Sequence, residues 1–238
     1  MKIKIAHIYP EVLNLYGDTG NILSLKKRAE WRNIEVDVRE YAMNDVIDFQ
    51  NIDILFIGGG SDKEQIVVCD KLKEYIEELK KYIENDGVLM AVCGGFQILG
   101  NYFETDDKNV ECLGLLDFYT KNDKSRLIDD VIIQTEFLDR PVVGFENHRG
   151  RTYINDYAPL GKVIHGNGNN GSDGVEGIMY KNVIGTYLHG PLLPKNPHLS
   201  DYIIKKALQN KYGVVELQEL DDSIELDAND YIINRFRN

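Results

Sequence analysis

The stretch VLMAVCGGFQILG, Val88 to Gly100, sets an apolar run before a cysteine and two glycines. An apolar run of this length is typical of a β-strand that is buried on both faces, and the residues after the glycines have a helical pattern. When a buried strand turns sharply into a helix, the residue at the turn is pushed outward at the carboxyl edge of the sheet. The order of strand, cysteine, glycines and helix therefore predicts a nucleophile elbow at Cys93.

The backbone at this turn favours the same interpretation. Gly94 and Gly95 leave room for the bend, and N–H groups at the start of a helix can lower the pKa of a thiol and hold a developing oxyanion. Most free cysteines are buried and only pack, so the context of Cys93 is what distinguishes it. Cys69 and Cys112 lack such a context, and we interpret them as structural.

The first half of the chain alternates strand-like and helix-like segments, which predicts a parallel sheet with crossover helices. The expected strands are 3–8, 34–38, 53–57 and 88–92, and the expected helices are 19–31 and 71–87. The triple glycine that follows residue 57 lacks the GxGxxG spacing of a dinucleotide site and has no evident helix directly behind it. We interpret these glycines as a tight loop that approaches a ligand, or as a mere turn.

Beyond about residue 105 the pattern changes to strands, turns and glycines. Segments 131–137 and 141–148 are expected to be neighbouring strands, 165–174 an exposed loop, 177–190 a hairpin that turns at Lys181 and Asn182, and 197–211 a helix that begins at a proline. No internal repeat or low-complexity linker divides the chain. The expected organisation is one domain, 1–238.

Composition excludes several classes of protein. The 238 residues are 43% hydrophobic and 28% charged, as in ordinary globular proteins, and a net charge of −12 argues against nucleic acid or an anionic membrane surface as a partner. Three cysteines without a CxxC pair fit a reducing compartment. No signal peptide and no run of transmembrane length is evident, so a cytoplasmic location without membrane insertion is expected.

A nucleophilic cysteine needs a base, and the chain offers five histidines: His7, His148, His165, His189 and His198. His189 follows the strand-like segment IGTYL and precedes Gly190, so it is expected at a strand end where a site can form. His165 and His198 occupy positions that are ordinarily solvated. His148, within ENHRG, has polar neighbours that fit either a site or a structural hydrogen-bonding cluster. No pair of histidines has metal-ligand spacing with a further ligand, so no bound metal is expected.

Four segments, FIGGGSDKEQ, AVCGGFQILG, ENHRGRTYI and IGTYLHGPLLPKNP, together resemble the class I glutamine amidotransferases of the cobyric-acid-synthase-like branch. Within that branch the opening segment IAHIYPEVLNLYGDTGN and the length are most similar to glutaminase subunits that serve lipid II amidation. The resemblance covers most of the chain. It implies a flavodoxin-like α/β sandwich with a mainly parallel central sheet flanked by helices.

The resemblance also implies roles for single residues. Cys93 would attack the side-chain amide of L-glutamine, form a glutamyl thioester and release ammonia, while His189 would shuttle the protons. The implied substrate-binding residues are Gly60 and Gly94 as oxyanion donors, Gly59 and Gly95 as loop-shaping glycines, Gln97, and Arg126 as the clamp for the α-carboxylate. From the residues alone, Arg126 could equally be a solvated charge beside Asp129 and Asp130.

The chain departs from the wider class after the histidine. Many members have a glutamate two residues beyond it, but this chain has Pro191. Our hypothesis from the sequence is that the acid comes from a partner chain, so that glutaminase activity is low in isolation and rises in the complex. The alternative is that a Cys–His dyad suffices.

The partner implied by the resemblance is a MurT-like Mur-ligase subunit, in a heterodimer that acts on membrane-bound lipid II. That subunit would bind ATP and Mg, activate the α-carboxyl of D-glutamate and receive the ammonia to form D-isoglutamine. This chain would need no cofactor, in keeping with its lack of a GxxxxGK[ST] motif.

The alternative functions are a glutaminase for a cobyrinate-type corrinoid acid, and a cysteine peptidase or DJ-1-like thiol protein. A catalytically silent binding subunit is disfavoured because Cys93 and His189 are both present.

Overall fold

Apolar strands form the centre of the computed structural model, which describes residues 1–236. The strands are β1 (Lys2–Ile8), β2 (Glu35–Tyr41), β3 (Ile54–Ile57), β4 (Val88–Val92), β5 (Tyr102–Glu104), β6 (Asn109–Glu111), β7 (Tyr119–Gln134), β8 (Val142–Tyr153), β9 (Gly161–His165), β10 (Val175–Glu176), β11 (Ile178–Tyr180) and β12 (Val183–Thr186). The helices are α1 (Thr19–Glu30), α2 (Asp62–Leu72), α3 (Ile76–Glu84), α4 (Gly94–Gln97), α5 (Pro197–Tyr212) and α6 (Ser223–Arg235). The last two residues of the expected single domain, 1–238, lie outside the described part.

The first sheet has six strands in the order β11-β12-β4-β3-β1-β2. Every neighbouring pair in it is parallel except β11 with β12. Strands β3 and β4 are buried at every position, which explains why their sequences are continuously apolar rather than alternating. The predicted parallel sheet is confirmed, and so is the hairpin turn at Lys181 and Asn182.

The second sheet is mostly antiparallel and is built around β7 and β8, which pair along nearly their whole length. The prediction that 131–137 and 141–148 are neighbouring strands is confirmed, but both strands extend much further. Charged residues on the exposed first half of β7 hid its strand character, and the register shifts between Asn122 and Leu127. This irregular stretch carries Arg126.

Parallel strands place their carboxyl ends at one edge of the sheet. In the first sheet that edge receives the loop after β1, the glycines after β3, Cys93 after β4 and His189 after β12. The topology therefore gathers segments that are far apart in the sequence. Together they form the floor of the candidate site.

No helix was expected directly behind the triple glycine, and that expectation was wrong. Helix α2 begins at Asp62, directly behind the glycines, and Ser61 with Glu64 forms a capping box in which Ser61 N–H donates to Glu64 Oε2 (2.6 Å). The S-x-x-E pattern was the available signal. The expected helix 71–87 is divided by a turn at Lys73–Tyr75, and α3 ends at Glu84.

Two further expectations were also wrong. The loop 165–174 is not exposed throughout, because Asn169 is fully buried and exchanges two hydrogen bonds with the backbone of Gly177 (2.9 and 2.8 Å). His198 is not solvated, since both of its ring nitrogens are buried.

Helix α6, which the sequence analysis missed, packs Ile233 against Ile132 and Val143 of the second sheet. Within residues 1–236 no helix is both long and apolar enough to cross a membrane.

Candidate active site

The turn after β4 has the geometry of a nucleophile elbow. Cys93 has φ 50° and ψ −106°, a conformation that side-chain-bearing residues rarely adopt. Its N–H donates to Thr186 O on β12 (2.8 Å), which ties the turn to the neighbouring strand. A β-carbon at Gly94 would lie 2.6 Å from the Gln65 side chain, and one at Gly95 would lie 2.5 Å from the carbonyl oxygen of Ile57. Gly95, which faces backbone oxygens, therefore requires glycine for the bend to form, whereas a β-carbon at Gly94 would displace the Gln65 side chain.

A cavity of about 470 Å³ opens beside this turn. Cys93 reaches it with only 6% of its surface exposed. The other predicted site residues that line the cavity are Gly60, Gln97 and Arg126. Gly59 and Gly94 lie behind the wall, where Gly59 adjoins Cys93 and Gly94 adjoins Gln65.

His189 is not among the residues that line the cavity, and it is fully buried. A β-carbon at Gly59 would lie 3.2 Å from both Cys93 Cβ and His189 Cε1, so the two side chains converge on this glycine. His189 N–H donates to Phe145 O (2.7 Å), which fixes the backbone against β8. Neither ring nitrogen has a hydrogen-bond partner among residues 1–236. The imidazole and the cysteine side chain thus adjoin the same glycine, and no hydrogen bond joins the imidazole to the thiol in this structure.

Asp18 brings a carboxylate to the same place. It is fully buried, its Oδ2 accepts a hydrogen bond from Gly59 N–H (2.6 Å), and its Oδ1 lies 3.9 Å from His189 Nδ1. Oδ1 has no hydrogen-bond partner among the described residues. An acid beside His189 is therefore present within this chain, and the hypothesis that a partner must supply it is not required by the fold.

Burial keeps the thiol and the imidazole uncharged. It raises the pKa of Cys93 to about 12, with a further contribution from the charge of Asp18, and it lowers the pKa of His189 to about 3. The pKa of Asp18 is raised to about 7 by burial, against the opposing effect of the Gly59 N–H. A neutral imidazole next to a neutral thiol can accept its proton during nucleophilic attack.

Tyr16 covers His189 at the mouth of the site. Its ring lies edge-on to the imidazole, with 4.9 Å between centroids, and its backbone is left-handed with φ 56°. The Tyr16 hydroxyl accepts a hydrogen bond from Asn147 Nδ2 (2.6 Å), and Asn147 Oδ1 accepts one from Arg126 Nε (2.7 Å). Arg126 is exposed to solvent, lines the cavity and is joined to its wall through Asn147.

Residues 4–197 match the CobB/CobQ-like glutamine amidotransferase domain family. This chain belongs to that family. It is a glutamine amidotransferase, as the resemblance of the four sequence segments implied.

Two relatives match this amidotransferase over most of its length. The chain is 45% identical to the glutamine-hydrolysing subunit GatD of lipid II isoglutaminyl synthase from Staphylococcus aureus (strain N315), covering 98% of this chain and 96% of that protein. The GatD subunit from Streptococcus pneumoniae (strain ATCC BAA-255 / R6) is 46% identical over 89% of this chain and 83% of its own length. A cobyric acid synthase from Listeria innocua is 30% identical, but the match covers only 32% of that protein.

Solved structures confirm the fold of the amidotransferase. A glutamine amidotransferase from Thermotoga maritima has a TM-score of 0.53 at 13% identity, covering 98% of this chain and 97% of that one. The glutaminase domain of Trypanosoma brucei CTPS with bound acivicin has a TM-score of 0.54 at 12% identity, covering 91% and 96% respectively. The predicted class I glutamine amidotransferase fold is therefore correct.

Sequence reasoning did not identify Asp18, Tyr16 or Asn147 as parts of the site. Tyr16 and Asp18 lie in the opening segment IAHIYPEVLNLYGDTGN, which indicated the branch of the family but no site residue, and Asn147 is only a polar neighbour of His148 in the sequence. The usable signal was a Tyr-Gly-Asp sequence after the first parallel strand, because such loops open at the carboxyl edge of the sheet.

The carboxylate of Asp18 can be tested separately from its hydrogen bond to Gly59. Asp18→Asn keeps an oxygen that can accept from Gly59 N–H but removes the negative charge, so we expect kcat for glutamine hydrolysis to fall roughly tenfold with little change in KM. Asp18→Ala removes both contributions, and we expect a loss of roughly a hundredfold. Steady-state ammonia release checks both values, and wild-type kcat in both variants would exclude Asp18 from the reaction.

Proposed function

We propose that this chain is the glutamine-hydrolysing subunit of a lipid II isoglutaminyl synthase and that it provides the ammonia for amidation of lipid II. The observation that carries the proposal is the 45% identity to the Staphylococcus aureus GatD subunit, which extends over nearly the whole of both proteins. The cavity beside Cys93 supports it, since a space of about 470 Å³ accommodates an amino acid. The chain acts as a single amidotransferase domain.

Binding of L-glutamine begins with its charged end. The Arg126 guanidinium is a planar cation at the rim of the cavity and suits the α-carboxylate of the substrate. Asn147 holds this guanidinium from one side through its side-chain and backbone oxygens (2.7 and 3.2 Å). The side-chain amide of the substrate then extends toward Cys93.

The reaction proceeds by covalent catalysis. His189 accepts the thiol proton as Cys93 Sγ attacks the side-chain carbonyl carbon, and backbone N–H groups of Gly60 and Gly94 stabilise the oxyanion. The Gly94 N–H already lowers the pKa of the thiol, opposing the effect of burial. The carbon–nitrogen bond breaks as His189 returns its proton to the leaving nitrogen, so ammonia and a glutamyl thioester form. Water, deprotonated by His189, then releases glutamate and restores the thiol.

The ammonia acceptor lies in a second subunit in this proposal. A MurT-like, ATP- and Mg-dependent Mur-ligase partner would activate the α-carboxyl of D-glutamate in lipid II and convert it to D-isoglutamine in a cytoplasmic heterodimer. The two relatives are each one subunit of lipid II isoglutaminyl synthase, which supports a partner for this chain. A cobyrinate-type acceptor is the second candidate, favoured only by the 30% identity to a cobyric acid synthase.

Substitution of Arg126 tests whether it binds the α-carboxylate of glutamine. Arg126→Ala removes the cation at the carboxylate, so KM for glutamine should rise about tenfold to a hundredfold while kcat changes little. Arg126→Lys should recover only part of the loss, because a point charge cannot form the bidentate pair. Lys124→Ala, an exposed cation on the same strand, is the matched control. An unchanged KM in Arg126→Ala would reject the clamp.

The function is tested by acceptor amidation. The chain is purified with the Mur-ligase-like protein from its own genome and supplied with ATP, Mg, glutamine and lipid II, and the product is analysed by mass spectrometry. We expect the mass loss of about 1 Da that replaces a hydroxyl by an amino group. With Cys93→Ala the amidation should require added ammonium salts. Amidation of a corrinoid acid, with lipid II left unchanged, would favour the second candidate instead.

A further inference from the structure

Gln65, near the start of α2, is a buried residue in the wall of the catalytic cavity. It takes no part in the reaction steps described above. Its backbone N–H donates to Ser61 O (2.8 Å), and its side-chain Nε2 donates to Gly60 O (3.0 Å). One residue thus holds two consecutive carbonyl groups at the junction between the glycine loop and α2.

The side-chain amide of Gln65 makes this contact at the expense of its own oxygen. Oε1 is buried and has no hydrogen-bond partner within residues 1–236. Turning the amide over would not help, because Oε1 would then face Gly60 O and both atoms can only accept. A buried oxygen without a donor destabilises the folded chain. Local exceptions of this kind are typical of functional sites.

The backbone on either side of the Gly60 N–H is fixed by hydrogen bonds. Gly59 N–H donates to Asp18 Oδ2 (2.6 Å), and Gly60 O accepts from Gln65. The N–H of Gly60 itself has no backbone acceptor in the part of the chain that the structure describes, although Gly60 lines the cavity. An N–H group that is held in place and still free to donate is what an oxyanion donor requires.

The same side chain touches the second oxyanion donor. A β-carbon added at Gly94 would lie 2.6 Å from Gln65 Nε2 and 2.7 Å from its Cδ and Cγ, so the amide packs directly on the Gly94 backbone. The Gly94 N–H faces the Cys93 thiol. Gly60 follows β3 and Gly94 follows β4, and the Gln65 side chain contacts both segments.

We propose that Gln65 is a positioning residue that fixes the two oxyanion donors, Gly60 and Gly94, relative to each other. This inference rests on the proposed glutaminase function. The hydrogen bond to Gly60 O prevents the backbone at Gly60 from rotating, and the packing against Gly94 keeps that turn from moving toward α2. The two donors bind most strongly to the oxygen once it carries negative charge. Loss of Gln65 should therefore lower kcat and leave KM nearly unchanged.

Gln65→Met keeps the length of the side chain and removes the N–H group that holds Gly60. We expect kcat for glutamine hydrolysis to fall roughly tenfold to a hundredfold, with KM within about twofold of the wild-type value. The unfolding temperature should stay close to that of the wild type, because one unpaired buried oxygen, on Gln65, is exchanged for another, on Gly60. Gln134→Met is the matched control, since that amide also donates to backbone carbonyl groups, of Thr135 and Leu138 (3.0 and 2.9 Å), but lies outside the cavity. It should keep the wild-type kcat.

The aldehyde 5-oxopentanoate probes the oxyanion hole directly. The Cys93 sulfur adds to the aldehyde carbon, the carbon–oxygen double bond becomes single and the thiol proton passes to the oxygen, which then occupies the oxyanion position. In Gln65→Met the inhibition constant of the aldehyde should rise by the factor by which kcat falls. The inhibition constant of L-glutamate, which forms no such adduct, should not change. An unchanged kcat, or an equal weakening of both inhibitors, would overturn the proposal.

NMR of the wild-type chain, in complex with the Mur-ligase-like protein, tests the proposal without any substitution. The side-chain N–H2 protons of Gln65 should exchange with solvent much more slowly than those of the exposed Gln50. The amide protons of Gly60 and Gly94 should both shift downfield when the aldehyde binds. Exchange as fast as that of Gln50, or a shift at only one glycine, would overturn the role of Gln65. Failure of the proposed function is distinguishable, because the wild-type complex would then neither hydrolyse glutamine nor form the aldehyde adduct.

Discussion

Cys93→Ala is expected to abolish ammonia release from glutamine, with kcat/KM reduced by at least about a thousandfold. No other group in the cavity can form the thioester, because Cys69 and Cys112, also buried, do not line it. The variant should remain folded, since the side chain points toward the cavity and its loss should change the free energy of unfolding by less than about 2 kcal/mol.

Two measurements make the Cys93 result specific. Cys112→Ala removes a thiol outside the cavity and should keep wild-type glutamine hydrolysis even if its unfolding temperature falls. Mass spectrometry after rapid quenching should detect a glutamyl adduct on the wild-type chain and none on Cys93→Ala. Hydrolysis retained by a folded Cys93→Ala chain would remove the basis of the proposed mechanism.

His189→Gln is expected to reduce kcat by roughly a hundredfold or more, because proton transfer by a positioned base contributes about that much. The large effect follows from the high pKa of Cys93, about 12, which leaves the free thiolate scarce at neutral pH. The attack therefore depends on a base that takes the proton. Glutamine has a similar size and retains an amide, which limits the disturbance of the buried site.

Alkylation of Cys93 by iodoacetamide provides an independent readout for the base. The rate at pH 7 should fall in His189→Gln and approach the wild-type rate only as the pH rises toward the pKa of the thiol. His165→Gln, located outside the cavity, is the matched control and should alkylate at the wild-type rate. If His189→Gln turns over glutamine normally, another group must accept the thiol proton.

The sequence predicted the parallel sheet and the elbow because both follow from local patterns. Val88–Val92 is continuously apolar and is followed at once by Cys93 and two glycines, so strand and turn could be read without knowledge of the remaining chain. The expected position of His189 at the end of a strand followed from the same kind of pattern. The structure brings this histidine to Gly59, beside the cysteine.

The parts that the sequence did not predict depend on contacts between distant segments. Asp18 is an ordinary acidic residue before a helix until the fold buries it against Gly59 and His189. The surroundings of His148 likewise depend on distant residues, because Asn167 and Gly168 of another loop donate hydrogen bonds to the Glu146 carboxylate beside it. Helix α2 did not depend on such distant contacts, because its capping box of Ser61 and Glu64 lies in the sequence directly behind the glycines.

The backbone of Gly95 contacts the end of β3, and this contact limits which substitutions the chain can accept there. Its N–H donates to Gly58 O (3.1 Å), and a β-carbon there would lie 2.5 and 2.7 Å from the carbonyl oxygens of Ile57 and Gly58. Main chain thus touches main chain between the nucleophile turn and the glycine loop, with no side chain as a spacer. Substitutions at neighbouring positions can reshape the rim of the cavity, but they have no means of adjusting this innermost gap.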